Sequence, residues 1–271
     1  MANMAHYLAD EIKGIRRDIL EILYRTKSPH IGSCFSMVEL LTALYFKILK
    51  IDPKNPADPN RDRFVLSKGH GAPALYAVLA KRGFIGKEAL AGFAKDGGTL
   101  EQHPNRNVSQ GIEITSGSLG HGLSIAAGMA LAGKYDKANW RVFAFSSDGD
   151  LEEGSSWEAI MFAGHHKLDN LIAIVDYNKL TAMGRIKEIL DLDPLAEKWR
   201  AFDWEVKEVD GHNMEEIINA LENIPFKNGK PSCLISHTIK GKGVSFMEND
   251  PKWHDKCPDE QEYEKAAEEL K

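Results

Sequence analysis

The feature that most constrains this chain is an alternation that begins at residue 141. Short runs at 141–146, 171–176 and 233–238 carry continuous apolar stretches, and a further strand-like run lies at 204–209. Between them, segments at 153–166, near 193–201 and at 213–223 have helical spacing. A strand with one wet face alternates apolar and polar residues, whereas "LIAIVD" (171–176) does not. Such runs suit strands covered on both faces, and strand–helix alternation makes those strands parallel. The spacing predicts an α/β fold with a mostly parallel sheet flanked by helices.

The first half is read by local signals. Leu8, Ile12, Ile15, Ile19, Leu20 and Leu23 recur at helical spacing over 4–27, and the pattern stops before Ser28-Pro29. Ser36 followed by Glu39 fits a capping box opening a helix over 36–50. "RFVLS" (63–67) reads as a strand leading into a helix, and small residues over 119–133 predict a closely packed buried helix. Residues 95–118 show little periodicity, and a loop of that length is commonly functional or disordered. No linker stands out, so one domain is expected over 1–271, with 256–271 as a charged surface tail.

Composition excludes several classes. A hydrophobic fraction of 43% supplies ample core, and a net charge of −6 argues against nucleic acid or a membrane held by a basic surface. Cys34, Cys233 and Cys257 are far apart, which suits free thiols in a reducing compartment better than a disulfide framework or a zinc site. No secretory leader is visible, and no run approaches the ~18 apolar residues of a spanning helix. A cytoplasmic protein is expected.

The chemistry concentrates in "VFAFSSDGDLEEGSSWEA" (142–159). In parallel sheets ligands collect beyond the carboxyl ends of strands, which is where Asp148 and Gly149 fall. Gly149 allows close approach of an anion, yet Asp148, Asp150, Glu152 and Glu153 would repel a bare phosphate. A divalent cation held by Asp148 and bridged to phosphate oxygens resolves that conflict. On this stretch alone, an Asp capping a helix is the better supported reading. Asn178 changes the balance. It ends the next predicted strand, and one crossover helix can bring the two strand tips together. By itself Asn178 also suits an ordinary turn. His30, His70, His103 and His254 all lie in loop-like contexts, each alone compatible with a surface or core position, and His165-His166 have no zinc-ligand spacing. Together these residues suggest metal-assisted diphosphate binding with histidines available for proton transfer.

"SDGDLEEGSSWEA" followed by "DNLIAIVDYNKL" resembles the thiamine-diphosphate motif, an acidic GDG turn followed about thirty residues later by an asparagine. "SPHIGSCFSMVELLTALYF", "RFVLSKGHGAPALYAVLA", "EQHPN", "TSGSLGHGLSIAAGMALA" and "TIKGKG…WH" are similar, in that order, to the amino-terminal portion of the transketolase family. The similarity spans about residues 5 to 257. It implies a thiamine-diphosphate-binding fold.

The resemblance also implies roles, carried onto matching positions. Asp148 and Asn178 would bind Mg²⁺ (Ca²⁺ or Mn²⁺ as substitutes) through side chains, and Leu180 through its carbonyl. Gly149 and His70 would meet the diphosphate, Lys240 would lie near the cofactor, and Gly117 and Leu119 would lie against it. His30, His103 and His254 would surround the donor sugar, with His254 also beside the diphosphate, while Glu153 and Glu158 would lie near the interface between subunits. Two departures stand out: Ser147 replaces the first glycine of GDG, and Tyr177 precedes Asn178 where Asp or Asn is common. The family continues into pyrimidine-binding and carboxyl-terminal domains. The implied protein is therefore the amino-terminal subunit of a split transketolase, paired with a separate second subunit, in an α2β2 assembly, and acting on sugar phosphates. Its reaction would move a two-carbon ketol unit from a ketose phosphate to an aldose phosphate. Alternatives are a specialised thiamine-diphosphate transferase or synthase for another sugar, a noncatalytic cofactor-binding paralogue, or a metal-dependent phosphohydrolase. His103 and the "KGKG…WH" segment favour transketolase over deoxyxylulose-phosphate synthase and oxoacid dehydrogenase subunits.

Overall fold

The computed structural model describes residues 2–271. Strands β1 (Arg63–Leu66), β2 (Val142–Ser147), β3 (Leu171–Tyr177), β4 (Glu205–Asp210) and β5 (Ser232–His237) form one sheet in the order β1-β2-β3-β5-β4. Every pairing is parallel, as the alternation predicts. Helices α1 (Ala2–Thr26), α2 (Ile31–Phe35), α3 (Val38–Ala43), α4 (Ala72–Arg82) and α5 (Lys87–Ala91) belong to the first half of the chain. Then come α6 (Gly122–Tyr135), α7 (Gly154–His165), α8 (Ile186–Ile189), α9 (Leu195–Ala201), α10 (Met214–Glu222) and α11 (Glu260–Glu269).

The period-two geometry of the strands divides their side chains between two cores. Phe64, Phe143, Phe145, Ile172, Ile174 and Leu234 pack with residues of α1, α3, α4 and α10. Their neighbours Val65, Val142, Ala144, Leu171, Ala173 and Val175 pack with α6, α7 and α9. Both faces are dry, which is why the runs are apolar at consecutive positions. Strand β4 lies at one edge, where exposed Lys207 and Glu208 protect it from further pairing. Among the described residues no helix is long and apolar enough to cross a membrane.

The expected helix over 36–50 is not one element. Helix α2 starts earlier, α3 starts at Val38, and a π-helical turn follows at Leu44–Ile48. No capping box forms at Ser36: its hydroxyl donates to Asp176 Oδ2 (2.6 Å), with the Ser33 carbonyl 3.1 Å away as the alternative acceptor. The Glu39 carboxylate is likewise taken, by Arg16 Nη2 at 2.8 Å. Tertiary partners for two buried polar side chains outweigh a local cap. A capping box does form at α11, between Asp259 and Glu262. That tail is charged outside but docked inside, with Ala266 and Leu270 buried and Tyr263 stacked on Tyr24 at 4.2 Å. The loop at 95–118 contains a short 3-10 turn (Val108–Gln110) closed by an Asn107–Ile112 bridge.

Glu39 is also met by His212, whose Nδ1 lies 3.2 Å from Oε2. The Ile239 amide donates to His212 Nε2 (2.8 Å), which places the proton of a neutral ring on Nδ1, facing Glu39. Burial pushes the Glu39 carboxyl up, but His212 and the Arg16 guanidinium outweigh it and hold the group below the usual range. Its contribution to stability is therefore complete above the ordinary glutamate pKa and is lost as pH falls through the depressed folded value. Glu39→Gln leaves the Arg16 charge buried without its partner, a loss of about 3–5 kcal/mol. The thermal midpoint at pH 7 should fall by ~10 °C, and the gap to wild type should narrow below pH 4. Circular dichroism melts across pH check both.

Candidate active site at the carboxyl edge of the sheet

Because the strands are parallel, four of their carboxyl ends deliver their next residues to the same edge. Strand β1 leads to Lys68 and His70, β2 to Asp148 and Gly149, β3 to Asn178 and Leu180, and β5 to Lys240. A cleft of about 210 Å³ opens there. Lys68, His70, Leu119, Asp148, Asn178, Leu180, Lys240 and His254 all line it.

At the centre, Asp148 accepts the Gly149 amide through Oδ1 (2.9 Å) and the Lys179 amide through Oδ2 (2.5 Å). Burial first, and the neighbouring Asp176 carboxylate second, push its carboxyl up to about 7. Asn178 Oδ1 accepts the Leu180 amide at 3.1 Å. Lys240 spends its ammonium protons on the Leu180 carbonyl (3.2 Å), the Thr181 carbonyl (3.3 Å) and His254 Nδ1 (3.0 Å). A carboxyl held high by burial and a neighbouring carboxylate, next to two further oxygen donors, is a donor set that fits a hard divalent cation. The positive charge of Lys240 in the same lining favours an anionic diphosphate.

The four histidines scattered through the chain come together. The His30 ring centroid is 5.3 Å from His70, 5.1 Å from His254 and 6.3 Å from His103, and His70 lies 5.3 Å from His254. The pairing of the two distant arms is a backbone matter. His30 takes a left-handed conformation (φ 78°), and its amide donates to the His254 carbonyl at 2.8 Å. Burial drives the imidazoles down, helped by the surrounding lysines and rings: His30 to about 4, His254 to about 3, and His70 well below its ordinary value. These three rings are neutral at pH 7. With Lys240 donating to His254 Nδ1, the His254 proton sits on Nε2.

The glycine-rich 117–122 segment forms another wall. A Cβ on Gly69 would sit 2.8 Å from the Gly117 amide nitrogen, so two backbones meet there, and Gly117 faces His103. Glu153 reaches the cleft margin, while Glu158 is further along α7 and not part of the cleft lining. The two departures from the motif leave the ligand set alone. Ser147 Oγ accepts the Asp150 amide (3.3 Å), a turn contact, and the Tyr177 hydroxyl donates away from the cleft to Asp193 (2.9 Å).

Sequence reasoning missed the layer beneath. Lys68 and Asp176 form a fully buried ion pair at 2.6 Å, with both side chains 0% exposed. Asp176 also accepts Ser36 and Thr238 hydroxyls, and Lys68 donates to the Ser33 carbonyl at 3.2 Å. The burial of Asp176 raises its carboxyl, but Lys68 and the hydroxyls outweigh that and hold it low. The signal was present as a lysine and an aspartate at the ends of two predicted strands, although nothing in their spacing pairs them.

The chain resembles known proteins over almost its full length. Residues 8–270 match the family described as "Transketolase, thiamine diphosphate binding domain". It is 45% identical over 255 residues to an apulose-4-phosphate transketolase subunit of Phocaeicola vulgatus, covering 94% of this chain and 90% of that one. It is 46% identical over 256 residues to the 6-deoxy-6-sulfo-D-fructose transketolase subunit SqwG of a Clostridium species, covering 94% and 93%. The solved transketolase of Campylobacter jejuni superposes with a TM-score of 0.86 at 31% identity, over 97% of this chain and 42% of that longer one. The sheet order, the cleft at its carboxyl edge and these matches agree: this chain belongs to the transketolase family.

Proposed function

We propose that this chain is the amino-terminal subunit of a split transketolase, using thiamine diphosphate and a divalent metal such as Mg²⁺ to move a two-carbon ketol unit between sugar phosphates. The observation that carries the reading is the convergence of Asp148, Asn178, Leu180, Lys240 and His70 from four strand ends on one cleft. Asp148 and Asn178 side chains and the Leu180 carbonyl would hold the metal. Gly149, His70 and Lys240 would hold the diphosphate, and Gly117 and Leu119 would border the ring system. When bound, the thiazolium supplies the carbanion chemistry. The protein's own part is to bind, orient and move protons. Lys240 attracts the anionic groups, while neutral His30 and His254, with His103 beside them, orient the hydroxyls of the donor. His254 can donate from Nε2 while Nδ1 stays anchored on Lys240.

A separate partner carrying the pyrimidine and carboxyl-terminal domains is supported by two relatives named as subunits, of whose lengths this chain covers 90% and 93%. An α2β2 assembly is the corresponding stoichiometry. Glu153 and Glu158, on the α7 side, are the residues we assign to contact between subunits. Those same relatives, one named for apulose-4-phosphate and one for a sulfofructose, favour as second reading a donor other than the common ketose phosphates. Three thiols without a disulfide support a cytoplasmic location. Mixed with its partner chain, Mg²⁺ and thiamine diphosphate, the chain should transfer a ketol unit from one or more of a panel of ketose donors, and it should be silent alone. An assembled pair inactive toward the whole panel would sink the reading.

A further inference from the structure

Asp150 has no role in the site as described, yet it is one of the most deeply held acids in the chain. Its side chain is fully buried. Both carboxylate oxygens are committed: Oδ1 accepts the Gly120 amide at 2.6 Å and Oδ2 accepts Ser146 Oγ at 2.5 Å. Its own backbone is fixed as well, the amide by Ser147 Oγ (3.3 Å) and the carbonyl by Ser156 Oγ (2.7 Å). A residue so constrained transmits position.

What it grips is unusual. Gly120 has φ +80°, so it is a turn residue just ahead of α6 rather than part of the helix. Its carbonyl accepts Ser155 Oγ at 3.0 Å, and a Cβ there would fall 2.4 Å from that hydroxyl and 2.6 Å from Glu153 Cβ. Leu119, its neighbour, lines the cleft together with Asp148 and Gly149. Asp150 thus ties two walls of the cleft together: it follows the 148–149 turn directly and holds the 117–120 turn across thirty residues of sequence. Hydrogen bonds from backbone amides to a buried carboxylate are short and strong, which suits a fixed spacing between walls.

We infer that Asp150 is a positioning residue: through Gly120 it sets the distance between the 117–120 turn and the 148–149 turn, and so the affinity of the cleft for thiamine diphosphate. It touches neither cofactor nor sugar. The inference rests on the proposed cofactor site, and its test separates the two. In the chain assembled with its partner, three quantities are measured: amide hydrogen exchange of the 115–122 segment without cofactor, the dissociation constant of thiamine diphosphate with Mg²⁺, and kcat at saturating cofactor.

Asp150→Ala should accelerate exchange in 115–122 and weaken cofactor binding, each by roughly 10-fold or more, while kcat at saturation stays within about 2-fold. Asp150→Asn should restore both, because its oxygen can keep the Gly120 amide while its NH₂ donates to Ser146 Oγ. Should Asp150→Ala fail to fold, Ser155→Ala releases Gly120 from its other side, and exchange and affinity should shift in the same direction. Unchanged exchange in these variants overturns the clamp. Faster exchange with unchanged affinity overturns the positioning role, and so does an Asn variant as impaired as Ala. A wild-type pair that binds no thiamine diphosphate overturns the proposed cofactor site, and the positioning role with it, whereas the exchange result would still report on the clamp.

Discussion

Asp148→Ala should abolish metal-dependent binding of thiamine diphosphate, with an apparent affinity loss of ~100-fold or more, the upper end of what even an indirect metal partner costs. The fold should survive. Asp148 is a buried carboxyl pushed up to about 7 by burial and by Asp176, so in the cofactor-free protein its ionised form is a local electrostatic cost. Asp148→Asn keeps the shape and removes that cost, but its single oxygen serves the Lys179 amide and leaves the Gly149 amide without an acceptor. With the relieved charge offset by the lost Gly149 contact, the cofactor-free Asn variant should melt within ~3 °C of wild type, while remaining as defective in Mg²⁺ and cofactor binding as the Ala variant. Calorimetric titration and thermal melts on the same preparations read the two effects. A variant that loses binding only because it unfolds would contradict the assignment of Asp148 to the metal.

The second large effect lies beneath the cleft. Lys68→Met strands the Asp176 carboxylate in a site with no exposure, and breaking such a pair should destabilise the protein by about 3–5 kcal/mol. Adding Asp176→Asn removes the orphaned charge; the amide oxygen can accept from one of the two hydroxyls, Ser36 or Thr238, while its NH₂ donates to the other. The double variant should recover more than half of the lost stability in denaturant titrations. Equal stability of single and double variants would mean that the pair is not coupled.

The sheet was legible because its physics is local. Continuous apolar runs at 142–147 and 171–177 permit little but strands buried on both faces, and their parallel order follows from the helices between them. Of the residues lining the cleft, Asp148 and Asn178 were legible because each follows a predicted strand, whereas Lys240 came only with the family resemblance. The site was illegible where a partner lies far away in sequence. Ser36 and Glu39 offer a correct local cap, yet they serve Asp176 and Arg16, 140 and 23 residues distant. The Lys68–Asp176 pair and the Asp150–Gly120 contact are of the same kind: long-range, buried and without periodicity. Separate turns ended as one histidine cluster because sheet order and a left-handed turn at His30 converge there, and neither can be computed from spacing.

The protonation of that cluster has a consequence for how the cleft handles a polyhydroxylated molecule. A neutral imidazole is amphoteric, presenting one donor and one acceptor at the same time. With His30 and His254 held near 4 and 3, and Lys240 behind them near 8, the rings are neutral over the whole window in which Lys240 is cationic: His30 keeps a donor and an acceptor, and His254, its Nδ1 held by Lys240, offers Nε2–H. Charge is thus kept at the base and neutrality at the rim. Sugar hydroxyls are then oriented at the rim by uncharged groups, with no second cation beside the Lys240 ammonium.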